Sequence, residues 1–522
     1  MDCTADQVDC YGVDVTSFQS PSPALAGRRQ WCALGVLVLV VALLAIDGTV
    51  LYLAVPSLVS HLNPSAIEVL WIGDVYAFVL AALLVTMGNL ADRIGRKKLL
   101  MVGICAFGGA SVLAAFAPNP VMLIAARALL GAAAATLMPS SLAMVRAIFS
   151  DSAQRTRAIA IWSAGATGGA ALGPLVGGVL LEHFWWGSVF LINVPVMVLA
   201  LVFGLRLLPE SRSETAQPVD LVSSVLSILA IIPLVYAVKR WASEGLHPSV
   251  VLAAVFGLLM GWIFLRRQRR LVVPLLDVAL FRVPAFLGAV IANGLALFAF
   301  MGLLFFYSQY LQLVRGFSPI EAGLGELPAT VAAIVVIGFI GALVRLLGTG
   351  RAIGAGLAAA SIGLAGIAVA ANLPAYWGLA AALAVLGLGV GVAATLSVDA
   401  VVSVVPKDRS GAAASIAETS YELGGALGIA VLGSIHLLVY RTHLDPPAGA
   451  NPTDVAHAQR SLASAVLHGP DAEMVVHAQG AFTTAMQITA CIAAVIMALA
   501  AAVAWRVIPS TCGDKIGNHE LT

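Results

Sequence analysis

Long apolar runs separated by short polar connections set the character of this chain. Fourteen stretches approach the ~20 residues that cross ~30 Å of hydrocarbon, at 31–55, 69–90, 99–117, 121–141, 158–181, 187–208, 220–238, 249–265, 285–312, 324–345, 352–371, 376–401, 412–440 and 481–507. The first is longer than a signal-peptide core, contains Asp47 and lacks a convincing cleavage site, so it is expected to stay as a mature span. The pattern predicts an all-α polytopic membrane protein. Short connections favour antiparallel neighbours. Polar or basic connectors at 209–218 and 266–282 bracket two spans that look inserted between halves. The expected organisation is a tail at 1–30, a six-helix bundle at 31–208, two inserted helices within 209–284, a second six-helix bundle at 285–507 and a tail at 508–522. The long polar segment 441–480 is expected to be an external loop with a short helix.

Composition agrees: of 522 residues, 60% are hydrophobic and 11% charged, so lipid rather than water is the main solvent. A net charge of +1 gives no reason to expect a nucleic-acid partner. Most of the 28 Lys and Arg fall on one side if the amino terminus is cytoplasmic, with clusters at Arg93, Arg96, Lys97, Lys98 and at Arg266, Arg267, Arg269, Arg270. The positive-inside rule then places both termini in the cytoplasm of a cell-membrane protein. Arg127 is the one basic residue expected inside a span. The six cysteines present no pair in one exposed loop, and His443, His457, His468 and His477 lack tight ligand spacing, so neither disulfides nor a metal are expected. The phosphate-binding pattern GxxxxGK[ST] is missing, which disfavours ATP as energy source.

Ionisable groups deep in hydrocarbon cost ~2.5–3.5 kcal/mol on insertion scales and tend to be functional. At 1.5 Å per residue, Asp47, Asp74 and Arg127 in spans one, two and four lie ~6–9 Å below the outer boundary and can meet. Glu418 and Glu422, four residues apart, share a helical face, with Asp399 on the preceding span as a possible companion. Burial and like-charge proximity disfavour the ionised pair, which makes exchange between a proton and a cation feasible. Glu326 is expected near the outer surface in a solvated or salt-bridged role. Trp71, Tyr76 and Tyr421 offer ring faces to a cation, with membrane-interface or packing roles as the alternatives.

A weak repeat joins the halves: Gly88, Leu90 and Gly95 recur in spacing as Gly341, Leu343 and Gly348, with Arg345 in place of Asp92. Within GNLADRIGRKK, the residues Gly88, Asp92, Arg93, Gly95, Arg96 and Lys97 resemble the loop signature of the major facilitator superfamily. Asp92 there is expected to pair across the interface with basic groups and hold the halves together in one access state. In the fifth span, GATGGAALGPLVGG sets Gly165, Gly169, Gly173 and Gly177 every four residues, with Pro174 and Gly178 completing the pattern. That bare face invites close backbone approach, and it resembles the antiporter motif of proton-coupled exporters. With LAIDGTVLYLAVP, LWIGDVYAFVLAALL, RALLG and IAETSYELGGALG, the chain resembles the fourteen-span drug:proton antiporters, most of all the quaternary-ammonium exporters.

The resemblance implies a major facilitator fold with two extra central helices, and proton-coupled export of lipophilic cationic drugs, dyes and quaternary ammonium compounds. Asp47, with Arg127 and Asp74, would couple the proton, and Glu418, Glu422 and Asp399 would meet the substrate. Small cations, protons and the bilayer are the implied partners, no cofactor is needed, and a monomer suffices. The alternative is a proton-coupled transporter for a specific metabolite or nutrient. Similar exporters of divalent cations present an acidic pair in the thirteenth span and an acid in the tenth, where this chain has Ala417 before Glu418 and only Ala333. Monocations are therefore expected to be exported better than rigid dications.

Overall fold

The computed structural model describes residues 26–149, 151–212, 220–271, 274, 276–405, 410–447, 450–468 and 471–509. Nearly all of the two expected tails, and 213–219 of the first connector, lie outside the described residues. The chain runs through α1 (Arg28–Leu62), α2 (Ala66–Ile94), α3 (Arg96–Ala115), α4 (Pro120–Ile148), α5 (Ser152–His183), α6 (Ser188–Leu191), α7 (Asn193–Leu207), α8 (Leu221–Glu244) and α9 (Pro248–Gln268). It continues through α10 (Pro284–Leu313), α11 (Pro319–Val335), α12 (Ile340–Leu347), α13 (Thr349–Ala370), α14 (Trp377–Ser403), α15 (Ser410–His443), α16 (Pro452–Arg460), α17 (Leu462–His468) and α18 (Ala472–Val507). Among the described residues, 14 helical segments are long and apolar enough to cross a membrane, which is the expected number.

Two spans are less regular than their sequences suggest. The sixth is broken between α6 and α7, and the tenth is interrupted by a 3₁₀ turn, Val336–Phe339. The polar segment 441–480 holds two short helices, α16 and α17, rather than one. The seventh span extends past its expected end at 238 to Glu244, which draws Lys239 into the helix and buries it. Arg127 is thus not the only basic residue within a span.

Helix ends in an apolar medium need their free N–H groups satisfied, and the sequence supplies local caps. The Ser65 hydroxyl accepts from the Glu68 N–H in a reciprocal capping box, and Ser318 and Glu321 repeat the device at the start of α11. Asn119 and Asp151 cap α4 and α5. Gly95 ends α2 at φ 113° and Gly348 ends α12 at φ 77°, so the repeated glycines occupy corresponding turns that a side chain would strain.

Helices α1–α7 form one bundle and α10–α15 with α18 the other; α8 packs on α2 and α15, with α9 against its outer side. Most of α9 is exposed and apolar, as a lipid-facing surface requires. The halves meet toward the end remote from residues 28 and 507, called here the far end. There the Tyr52 ring meets Phe305 edge-on at 5.7 Å, and the Gln312 side chain donates to the Leu53 carbonyl at 3.2 Å. Gly433 abuts Leu70, Gly323 abuts the Pro174 carbonyl and Gly178 abuts Ile320. Toward the terminal end α12 has no buried side chain, and Ser163 and Thr167 of α5 are exposed within a span. Polar groups at that depth belong beside water rather than lipid, so the bundle is sealed at its far end and open at its terminal end.

Candidate functional site

Close helix packing positions the first cluster. Gly165 faces Val38 and Gly177 faces Val50, where an added Cβ would come within 2.6 and 2.7 Å; Gly169 and Gly173 lie even tighter on Ala42 and Thr49. The glycine stripe of α5 thus beds α1, while Pro174 and Gly178, in the second half of the helix, touch α11 of the other half. The bedding fixes the rotation of α1 and turns Asp47 inward. Arg127 of α4 donates from Nη1 to Asp47 Oδ2 at 3.0 Å and from Nε to the Ile72 carbonyl at 3.2 Å, and both side chains are buried. Asn193, opening α7, donates to Asp47 Oδ1 at 2.8 Å and to Ser111 Oγ at 3.1 Å. The Arg127 guanidinium lies 4.7 Å above the Tyr76 ring. Such a pair is stable in an apolar interior only when its remaining valences are met, and here both carboxylate oxygens and two guanidinium nitrogens are engaged.

Asp74, expected at the same place, goes elsewhere. Lys239 Nζ of α8 sits 2.8 Å from each Asp74 oxygen and 3.8 Å from the centre of the Trp71 ring, entirely buried. Trp71 therefore stacks on a cation, but the cation is the chain's own. Residues Lys239 and Asn193 carry no local signature, since each acquires its meaning from a partner at least 146 positions away.

The second cluster lies on α15. Glycines again set the approach: Gly302 meets Gly428, and Gly424 meets Gly294, bringing α15 against α10, while Asn293 donates to the Ala417 carbonyl at 2.9 Å. Glu418 and Glu422 are partly accessible although they lie within the bundle, as residues lining an internal cavity would be. Glu422 is within electrostatic range of Glu418, Tyr421, Tyr52 and Tyr76. Tyr76 thus stands between the two clusters, with Arg127 on its ring and Glu422 within reach. Asp399 is exposed on α14, and its charge acts on neither glutamate.

The loop signature behaves differently from expectation. Asp92 pairs with Arg96 at 2.8 Å, four residues along, rather than with the other half. The Arg96 N–H donates to the Ser211 carbonyl at 2.9 Å and Lys97 Nζ to the Leu205 carbonyl at 2.9 Å, so the loop is fastened to the end of α7 in its own bundle. Gly95 packs so tightly on Glu210 that a Cβ would lie 2.6 Å from its carboxylate; Gly88 faces Pro139, and Arg93 is exposed.

Residues 37–429 match the model of the Major Facilitator Superfamily. The chain is 44% identical to the multidrug efflux pump LfrA of Mycolicibacterium smegmatis over 93% of its own length and 97% of the relative's. It is 38% identical to the methyl viologen resistance protein SmvA of Salmonella typhimurium, over 84% and 89% of the two chains. Among solved structures, a bacterial homologue of the lysosomal transporter Spinster, in an inward-facing and unoccupied conformation, superposes with a TM-score of 0.66 at 16% identity, covering 93% of this chain and 98% of that one. That likeness concerns the fold alone. On the extent of the family match and the identity to full-length relatives, the chain belongs to the major facilitator superfamily.

Proposed function

We propose that this protein is a multidrug exporter that moves lipophilic cations out of the cytoplasm in exchange for protons. It is a transporter rather than an enzyme, and relatives named for drug efflux and resistance support the export of drugs. The observation that carries the cation assignment is the pair Glu418 and Glu422, partly accessible inside a largely apolar bundle and one tyrosine away from the buried Asp47–Arg127 pair. Carboxylates there attract a lipophilic cation, and ring faces at Tyr76 and Tyr421 add to the attraction. Coupling follows from the first cluster: a proton on Asp47 removes its attraction for Arg127, a differential interaction that biases the halves toward another access state. With both termini cytoplasmic, as the placement of Lys and Arg supports, the open end faces the cytoplasm. The bundle boundaries read from sequence, 31–208 and 285–507, delimit the rocking halves, and 209–284 the inserted pair.

Substrate charge needs a revised reading. The expectation of weak dication export rests on the missing acids at Ala417 and Ala333 and makes Glu418 the main carboxylate with Glu422 and Asp399 as substitutes, yet Glu422 stands close enough to act together with Glu418. One relative is named for resistance to methyl viologen, a dication. We infer that the two glutamates together accept either one or two positive charges. A transport panel in vesicles with monocations, dications, neutral drugs and anions, run with and without a pH gradient, tests the whole reading. Cation uptake into inverted vesicles driven by interior acid is expected. Transport of neutral nutrients, or cation transport indifferent to the gradient, would overturn it.

A further inference from the structure

Glu326 belongs to neither cluster. It lies on α11 seven residues past Pro319, roughly 10 Å along the helix, and instead of being solvated it is 1% exposed. Neither carboxyl oxygen meets a hydrogen-bond donor. The Ser308 hydroxyl lies beside it outside bonding geometry, and Tyr307 of α10 and Tyr376 before α14 complete its polar surroundings.

Among the described residues no base compensates it. Arg315 is engaged by the Tyr310 hydroxyl at 2.7 Å and the Pro374 carbonyl at 2.9 Å. Helix α10 carries no charged residue, and α14 carries only Asp399, ~18 Å along the axis from Gly387, where α11 packs. On α5, Glu182 accepts from the Ile320 N–H, His183 follows it at the same end, and Arg155 and Arg157 lie at the other end. Glu321 caps its own helix, and on α1 Asp47 is held by Arg127. Tyr52 of α1 is in electrostatic range of both Glu326 and Glu422. A buried carboxyl without donor or counter-charge can hold a proton or a small cation, but a bare charge there is costly.

Its position relates it to access. One turn earlier on α11, Gly323 abuts the Pro174 carbonyl, and Ile320 abuts Gly178, so the contact that seals the far end lies just outside Glu326. Parting of α5 and α11 would open a path from the far side to this carboxyl.

We propose that Glu326 is a second proton-carrying carboxyl, placed in the second bundle, that takes its proton from the far side when α5 and α11 part and is occluded when they close. It receives H⁺ from water there as a carboxylate and returns it, past Tyr52, to water in the terminal-end cavity, so each cycle moves one proton more than Asp47 alone would carry. The inference rests on the proton-coupled reading above.

The test uses the full-length chain in proteoliposomes with the membrane potential clamped at zero and ethidium as substrate. Each coupled proton multiplies the limiting substrate ratio tenfold per pH unit of gradient. Glu326→Gln is expected to exchange ethidium normally at zero gradient but to reach a limiting ratio about tenfold lower per pH unit, while Glu326→Asp retains the wild-type ratio. If Glu326→Gln does not insert, Glu326→Met carries the same expectation. Equal limiting ratios in wild type and the neutral variant would overturn the proposal. So would loss of zero-gradient exchange in an inserted neutral variant, because the carboxyl would then be serving the substrate's charge. A wild-type protein indifferent to the gradient would overturn the antiport reading itself, and the second proton with it.

Discussion

Lys239 reaches from the inserted helix α8 to within 2.8 Å of Asp74 on α2, with both side chains buried. Removing one member of such a pair strands the other charge, at a cost of about 3–5 kcal/mol. Lys239→Met is therefore expected to lower the unfolding temperature of the purified protein sharply, and Lys239→Met with Asp74→Asn to recover most of the loss. Tryptophan fluorescence on heating measures both. A single variant as stable as wild type would show that the pair does not hold α8 in place.

Asp47→Asn keeps the shape of the first cluster but cannot exchange a proton at working pH. Normal membrane insertion is expected together with loss of gradient-driven export by at least tenfold. Arg127→Lys should also impair export, since an ammonium cannot reach both Asp47 and the Ile72 carbonyl as the planar guanidinium does. Wild-type export by Asp47→Asn at equal expression would remove this residue from the mechanism.

Substrate charge separates the two glutamates from the proton sites. With one carboxylate left, Glu418→Gln or Glu422→Gln should lose dication export by more than tenfold and monocation export by less. Initial efflux rates for one monocation and one dication of similar size measure the ratio. Equal losses for both substrates would show that the glutamates do not count charge.

Neighbouring glycines of α5 make a steric control. A Cβ at Gly173 would collide with Thr49, whereas at Gly168 nothing lies within 4 Å. Gly173→Ala should destabilise by about 1–3 kcal/mol, as overpacking does, and Gly168→Ala should be neutral or slightly stabilising. Comparable unfolding temperatures for the two variants would contradict the packing described.

The hairpin of α8 and α9 is latched where Asp220 meets Arg267 at 3.0 Å and Ser223 at 2.5 Å. Burial works against the Asp220 charge, but the Ser223 and Arg267 hydrogen bonds and the Arg267 charge outweigh it and hold the carboxyl below its usual range. The stabilisation is therefore fully present above the ordinary aspartate pKa and is lost as pH falls through the lowered one. Asp220→Asn should cost about 1 kcal/mol near neutrality, a modest figure because the Arg267 side chain reaches solvent. The difference from wild type should vanish at strongly acid pH, which thermal unfolding across pH can follow.

What the sequence disclosed, and what it hid, follows from the range of the interactions. Spans were legible because a run of apolar residues declares itself locally, and Asp47 and Arg127 could be paired because depth along a straight helix is arithmetic. Lys239 was misread because the apolar run stops just before it, and the carboxylate that admits it to the interior lies 165 positions earlier. Glu326 looked superficial from its nearness to the start of α11, yet α10 and the approach to α14 close over it. Asp92 was expected to reach across the halves, though its spacing of four from Arg96 already offered a nearer partner.

The placement of α8 makes the two lateral seams between the halves unequal. Where α2 faces α15, Val235 packs against Phe78, Ala426 and Ala430 and upholsters the seam, whereas no inserted helix packs on the seam of α5 and α11 among the described residues. An amphiphile dissolved in the membrane thus meets a seam padded by an inserted helix on one flank and a seam without that padding on the other. The protein is in this sense sided within the plane of the bilayer, and drugs that arrive through lipid should enter it by one door.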